Sequence, residues 1–547
     1  MQTASVTIDA LETRAEPTKA AQRSFRSLIA AGRFIHGAEL VSTRGYAPMK
    51  APGALAELGE ALCATRRMGW LSMTDSPGGH TMLPPDWLGR ILRGTDKPLV
   101  LHLACKDLNR SGLESTAWNY ASEGFENVVA MTGDFPAGGF GGRANPVFDL
   151  DSVGLISMLD AMNRGLEVPG RGGEKRRLPP THFFIGCVVS PFKRLESELM
   201  PQYFKLLRKI SCGARFVYTQ LGYDMRKFHE VKLLLESHGL DIPVFGNVFM
   251  LNRTVAAMFN QNRVPGCVVN DRLMEMVEKY SGGMDKGRAF FLELAAKQLA
   301  VFRGLGFAGG YLGGMSKAET FLEVIEMADG FGRGAWREFA REIQFPLKDE
   351  FYLFEQNYGT GLGESGHFSR RYLASLHHPA PSRHVTLNYR LSRFIHNKVF
   401  TPGTLGHRIM KRFYEHWDKS PGLLSRGMNA LERLSKTMAF GCRGCGDCSL
   451  PDCAYLCPMA ACAKFTRNGP CGGSRDGTCE LHDKQCIWSR AYERLKFYQE
   501  SEQMLQGPAV IPRNELRGTS SWANSFLGRD HHSCGCAVTK QRGPNKE

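Results

Sequence analysis

Nine of the sixteen cysteines in this 547-residue chain fall between Cys442 and Cys486, and only five precede residue 440. In a reducing compartment that density serves metal binding rather than disulfides. Thiolates ligate soft metals, and the CxxCxxC spacing of Cys442, Cys445 and Cys448 can converge three sulfurs within one tight turn. Cys457 is followed by Pro458, a feature of the last ligand in some iron–sulfur sites. Structural zinc sites also use CxxC pairs, so an iron–sulfur cluster of the [4Fe–4S] type and zinc both stay open. Cys453, Cys462, Cys471, Cys479 and Cys486 complete the candidate ligand set. The later string HHSCGC, His531 to Cys536, could also hold a metal, although a mobile tail is the expected reading.

A second set of reactive side chains stands at the ends of short apolar runs: Glu39, Thr74 with Asp75, His102, Asp134 and Gln220. Buried at such an end, Glu39 would have a raised pKa and could act as a general acid. Asp134, after Gly133 in MTGD, could stabilise positive charge on a substrate or tune an oxidised ring. Gln220 can donate and accept, which suits an amide-rich heterocycle such as a pterin. Arg208 and Lys209 could bind phosphate. Any one of these residues could instead cap the next helix.

The elements that must position them are eight strands, at Phe34 to Val41, Gly69 to Thr74, Pro98 to Ala104, Asn127 to Thr132, His182 to Val189, Arg215 to Gln220, Ile242 to Asn247 and Phe307 to Leu312. Several are continuously apolar, as in a parallel sheet covered on both faces. Helical spacing between them, as in Met200 to Ala214, predicts an α/β fold closed as a (β/α)8 TIM barrel, with an open doubly wound sheet as the alternative. Chemistry in such barrels sits at the carboxyl ends of the strands. The expected organisation is an N-terminal extension (1–30), the barrel (31–345), a glycine- and proline-rich linker (346–385), a small α-helical, cysteine-rich metal-binding domain (386–500) and a C-terminal tail (501–547). Cys105, Cys187, Cys212 and Cys267 read as core residues, and the Gly-rich stretch Pro136 to Pro146 as a flexible active-site loop.

Composition narrows the function. With 43% hydrophobic and 22% charged residues the chain is globular. No apolar run approaches the roughly 20 residues of a membrane span, and Asp9, Glu12 and Glu16 interrupt the N-terminus where a signal core would lie, so a cytoplasmic protein without a membrane partner is expected. The net charge of +15 suggests polyanionic partners. The stretch from Thr386 to Phe440 has ten Lys or Arg against three acidic residues. It reads as a solvated helix face, and a nucleic-acid partner is not expected because few aromatics interleave with the cysteines.

The strings LHLACKDLNRSGL, NVVAMTGDFP with PVFDLDSVGLI, and LLRKISCGARFVYTQLGYD, in that order, resemble the methylenetetrahydrofolate reductase family over roughly Phe34 to Glu342. The cysteine segment, with NGPCGG as its most distinctive string, is similar to the C-terminal module of some bacterial members. The resemblance implies a flavoprotein holding FAD or FMN that interconverts 5,10-methylenetetrahydrofolate and 5-methyltetrahydrofolate, hydride passing between flavin N5 and the one-carbon unit. It implies Glu39 as the acid, Asp134 as the group that stabilises the cation, and Gln220 as a folate contact. Flavin contacts would fall on Thr74, His102, Thr132, Gly133, Asp134, Asp151, Arg208 and Lys209. NAD(P)H or a protein electron carrier would be the redox partner, the latter served by a metal cluster in the C-terminal module. GAELVSTRGY departs from the aromatic and proline-rich form common after the Glu, and Phe148 replaces an aromatic hydroxyl common in some members. A folate-dependent methyltransferase with a zinc–thiolate module is the alternative. Homo-oligomerisation is left open.

Overall fold

The computed structural model of the protein describes residues 24–48, 53–170, 174–377, 381–419, 422–481 and 484–533. In chain order the strands are β1 (Ile35–Leu40), β2 (Trp70–Met73), β3 (Leu99–Ala104), β4 (Asn127–Met131), β5 (Glu167–Pro169), β6 (Lys175–Arg177), β7 (Phe184–Val189), β8 (Phe216–Thr219), β9 (Val244–Phe249) and β10 (Gly309–Gly313), followed by β11 (Phe354–Gln356) and β12 (Gly363–Phe368). Eight of them close in the order β1-β10-β9-β8-β7-β4-β3-β2. Every barrel neighbour is parallel, and β1 meets β10 with Ile35 opposite Gly309, which excludes the open sheet. β3 is buried at every position because helices cover it outside and side chains fill the barrel inside. The hairpin β5–β6 was not expected: Lys175, Arg176 and Arg177 are exposed and have no apolar alternation to announce a strand.

Three stretches read as extension, linker and tail carry secondary structure. The end of the N-terminal extension is part of the barrel: the helix Phe25–Ala30 drives Phe25, 0% exposed, against Trp70, Phe184, Phe216 and Phe245 with ring centroids 5.3–6.1 Å apart. Gly37 stands where an added Cβ would lie 2.0 Å from the Trp70 ring, so this aromatic plug needs a glycine in β1. Phe25→Ala should cost about 3–5 kcal/mol, read as a lower denaturant midpoint at unchanged slope; a loss below about 1 kcal/mol contradicts the plug.

The expected linker, 346–385, carries β11, β12 and the helix Arg370–His377, which pack on the barrel. Buried Glu230 accepts from the amides of Leu353 and Phe354, Arg226 donates to the Phe354 carbonyl at 2.8 Å, and Lys227 donates to that of Phe351. Charged side chains of an outer helix thus satisfy the backbone of a segment whose glycines suggested a linker. In the tail, residues 501–533 carry short helical elements, while Cys534 and Cys536 lie outside the described residues.

The basic stretch forms the helices Leu387–Ile395, Leu405–Lys419 and Leu423–Phe440, with a π-helical turn His396–Phe400. Leu387, Phe394, Leu405, Leu423 and Met438 are exposed there, so this face is not merely a solvated charged one. Among the described residues no helix is long and apolar enough to cross a membrane. Cys105, Cys187, Cys212 and Cys267 are buried, as expected.

The helix Glu196–Ser211 is buried on nearly all sides, unlike an ordinary outer helix of a barrel. The helix Ile487–Phe497 covers it, with Ser197 and Ser489 hydroxyls 2.7 Å apart and Tyr492 donating to Glu196 at 2.7 Å. The cysteine module and barrel therefore share one core rather than sitting side by side.

Candidate functional site

Glu39, Thr74, His102, Thr132, Gly133, Asp134 and Gln220 all stand in or just after the barrel strands, at the end where a (β/α)8 barrel builds its site. Burial pushes the Glu39 pKa up to about 7, partly opposed by Tyr311. The Tyr311 hydroxyl approaches Glu39 and Ser72 without reaching hydrogen-bond geometry. His102 lies 2.9 Å from the Ser72 hydroxyl, and burial drives its pKa down to about 3, so its imidazole is neutral at ordinary pH. Asp75 holds the Ala104 amide at 2.9 Å; burial raises its carboxyl to about 6. Thr74 lies under the Leu40 carbonyl at 3.5 Å, and Thr132 meets Ser152 at 3.3 Å.

Gly133 has φ +86°, and an added Cβ would press on Ala104 and Lys106 at 3.1–3.2 Å. Glycine is needed to make this turn. Asp134, next in the chain, accepts from the Gly78 amide at 2.7 Å. The thiol of Cys267 is raised first by burial and further by both Asp134 and Glu39, so the two carboxylates share one neighbourhood. The Gln220 carbonyl oxygen accepts from Leu221 at 2.9 Å.

Asp151, Arg208 and Lys209, which the resemblance puts among the flavin contacts, are engaged elsewhere. Asp151 caps the helix Ser152–Asn163 and accepts from the Arg467 and Asn468 amides at 3.0 and 2.9 Å. Arg208 donates to the carbonyls of Met504, Gln506 and Pro508. Lys209 donates to the Val188 carbonyl at 2.6 Å, and burial lowers its pKa to about 8. Arg208 thus anchors the C-terminal segment to the barrel while Lys209 bonds within the barrel, both satisfying backbone that would otherwise be buried unpaired.

NGPCGG is the centre of that junction. Lys205 donates to the Gly469 and Pro470 carbonyls at 3.1 Å, and Lys193 to that of Gly472 at 2.6 Å. Gly469, at φ +126°, lies so close to Lys205 that a Cβ would fall about 3 Å from its stem. Lys464 then reaches from the module to the Gly133 carbonyl at 2.9 Å while pairing with buried Glu480 at 2.6 Å. Burial would lower its pKa, but Cys471, Glu480 and Asp134 outweigh that and hold the ammonium above its ordinary value. Nothing in the local sequence singles out Lys464, Tyr311 or Asn247, which only the fold brings here.

The cysteines divide into two groups. Cys442, Cys445, Cys448 and Cys457 interact with one another, and burial followed by the Cys448, Cys457 and Cys442 charges raises the Cys445 thiol to about 11 despite Arg467. Lys436 donates to the Cys448 sulfur at 3.3 Å. A cavity of about 590 Å³ is lined by these four cysteines, Lys436 and the helix Leu423–Phe440. Cys462, Cys471, Cys479 and Cys486 form the second group, in which burial and neighbouring thiols raise Cys486 to about 12. Cys453 is fully buried and feels both groups through Cys457 and Cys462. Among the described residues no three cysteine sulfurs lie within 4.8 Å of one another.

Residues 33–328 match the family model described as methylenetetrahydrofolate reductase, and residues 424–514 match the one described as methylene-tetrahydrofolate reductase C terminal. The chain belongs to the methylenetetrahydrofolate reductase family. Among curated members, methylenetetrahydrofolate reductase 2 of Schizosaccharomyces pombe is 22% identical over 217 residues, covering 37% of this chain and 31% of that protein. The 5,10-methylenetetrahydrofolate reductase of Salmonella typhimurium is 23% identical over 184 residues, covering 34% of this chain and 53% of that one. The matches thus span about a third and about half of these relatives' lengths. A solved structure, an uncharacterized protein from Clostridium thermocellum that binds two copies of 5-methyl-5,6,7,8-tetrahydrofolic acid, aligns at 10% identity with TM-score 0.39, over 55% of this chain and 96% of that one.

Proposed function

We propose that this reductase-family chain interconverts 5,10-methylenetetrahydrofolate and 5-methyltetrahydrofolate at the barrel mouth, with a flavin as hydride carrier and a protein electron carrier as redox partner. The observation that carries the reading is Lys464, which bridges the second cysteine group and the Gly133–Asp134 turn. The buried polar atoms Asn247 Oδ1, Ser190 Oγ and Gln202 Nε2 have no hydrogen-bond partner, and a polar heterocycle could satisfy them. Thr74, His102, Thr132, Gly133 and Asp134 would hold FAD or FMN. When bound, the flavin supplies hydride exchange with the one-carbon unit.

The chain's own residues do the rest. Glu39, with its pKa near 7, can give a proton to the bridging amine and help open the methylene bridge. The Asp134 carboxylate stabilises the resulting folate iminium. Gln220 orients the pterin. An acid works when protonated, so with Glu39 in that role the reductive rate falls as pH rises through about 7. Glu39→Gln should be slow and lack that limb in a pH profile of kcat; an unchanged profile removes Glu39 from the role.

The two cysteine groups would hold iron–sulfur clusters, which relay single electrons. The CxxCxxC spacing with a further Cys before Pro458 favours clusters over the zinc–thiolate methyltransferase. Exposed Leu431, Leu434 and Met438 stand with Arg426 and Arg433 on the helix walling the first group's cavity, a surface suited to an acidic carrier. The test is an absorption spectrum and metal analysis of anaerobically purified protein, with turnover of both folates. Flavin bands, a broad visible shoulder and several irons per chain support the proposal; colourless protein inert toward reduced folates ends it.

A further inference from the structure

His531 and His532 are not part of a loose tail. His531 is 2% exposed, and both rings direct Nε2 at the same carboxylate oxygen, Asp452 Oδ2, from 3.2 and 3.6 Å. Their ring centroids are 4.1 Å apart. The three donors come from segments far apart in sequence, the turn Pro451–Cys453 and the turn His531–Ser533. We propose that Asp452, His531 and His532 bind one divalent transition-metal ion, zinc by their donor set, and that this ion fastens the segment 501–533 to the loop of the first cysteine group.

The separations suit such an ion. Bonds of about 2.0–2.1 Å at tetrahedral angles space donor atoms about 3.4 Å apart, and all three donor atoms here lie within 4.8 Å of one another. Two imidazoles turned toward one carboxylate oxygen place three donor atoms around a single point, the arrangement that a shared cation requires. Two imidazoles with one carboxylate form a borderline set suited to zinc, distinct in chemistry from the all-thiolate groups nearby.

The surroundings are those of a built site. Nδ1 of His531 faces Asp447 Oδ1, which leaves Nε2 to the metal. A carboxylate behind a ligating histidine fixes its tautomer and raises its basicity. Asp447 is itself fixed by the Arg513 amide at 2.9 Å and the His531 amide at 3.3 Å. Arg208 also acts on Asp452, but its guanidinium nitrogens are held by carbonyls of Met504, Gln506 and Pro508. His532 is 41% exposed on its side chain, giving the ion an entry path and a fourth position open to water.

The position gives the ion a task. Asp447 lies between Cys445 and Cys448, and Asp452 precedes Cys453. The segment being fastened supplies the carbonyls that hold Arg208 and the Val510 amide that donates to Asn468 at 2.7 Å. A metal here would therefore couple order in the C-terminal segment to both the first cysteine loop and the barrel junction.

The experiment is metal analysis of the full-length, anaerobically purified protein after dialysis against buffered zinc, for wild type, His532→Ala, His532→Gln and Asp447→Asn. Wild type should carry one zinc per chain more than either His532 variant, with iron and visible absorbance equal among them. Asp447→Asn should weaken zinc binding about 10- to 100-fold, and both His532 variants at least as much. Cobalt in place of zinc should give visible ligand-field bands in wild type that His532→Ala lacks. Equal zinc in wild type and both His532 variants overturns the proposal and leaves His531 as a protonated clasp between two carboxylates. His532→Gln guards against misreading a folding defect, since its exposed side chain can change without opening the core.

Discussion

Asp134→Ala should lower turnover of both folates by about 10²–10³-fold, compared at equal flavin occupancy, the scale expected when one preorganised electrostatic partner of a transition state is removed. Two roles for Asp134 must be separated. Its carboxylate accepts from the Gly78 amide at 2.7 Å and so ties the loop after β2 to the loop after β4. Its charge also stands beside Lys464 and, by the proposed mechanism, beside the cationic one-carbon unit. Asp134→Asn keeps an acceptor for Gly78 and removes the charge. If charge is the catalytic element, Asn is nearly as slow as Ala; if loop anchoring is all that matters, Asn recovers most of the activity. Stopped-flow reduction of the flavin by 5-methyltetrahydrofolate reads the chemical step directly. Full activity in both variants would remove Asp134 from the mechanism.

The barrel was legible because its physics is local. Continuous apolar runs such as LVLHLA can be buried on both faces only in a covered parallel sheet, so eight strand positions followed from periodicity, while closure came from long-range pairing of β1 with β10. The reactive strand-end residues were legible for the same reason. What the sequence hid was where charge goes once two segments meet. Arg208 and Lys209 have the chemistry of phosphate ligands, yet their donors are taken by carbonyls of residues 504–508 and of Val188. Asp151, expected among the flavin contacts, is also held by Arg467 and Asn468, more than 300 positions away. No local pattern reports such pairings. The glycines of 359–366 suggested a linker because composition cannot show that Glu230 and Arg226 satisfy the backbone beside them. The sequence around His531 suggests a mobile tail for a similar cause: its partners, Asp447 and Asp452, lie 84 and 79 positions back.

Cys448→Ser and Cys471→Ser should each remove about half of the iron and abolish carrier-linked turnover, while flavin reduction by 5-methyltetrahydrofolate should stay within about twofold of wild type. The division of eight cysteines into two groups of four carries this expectation, since each group supplies the four thiolates that a four-iron cluster needs. Loss of one ligand should empty its own group and spare the other, because mutual interactions run within the groups and Cys453 alone feels both. The double variant should therefore lose iron additively. Cys453→Ala should keep nearly all of it. The two groups also occupy different electrical settings. Lys436 donates to Cys448 beside a cavity walled by exposed basic and apolar side chains, whereas the second group lies next to Lys464, which touches the Gly133 carbonyl. Electrons from an acidic carrier would accordingly enter at the first group and reach the flavin from the second. Cys448→Ser should then block reduction of the second group by the carrier yet leave its re-oxidation from the flavin side intact, and Cys471→Ser should do the reverse. Zinc in place of iron, with carrier-independent turnover in both variants, would make the module structural.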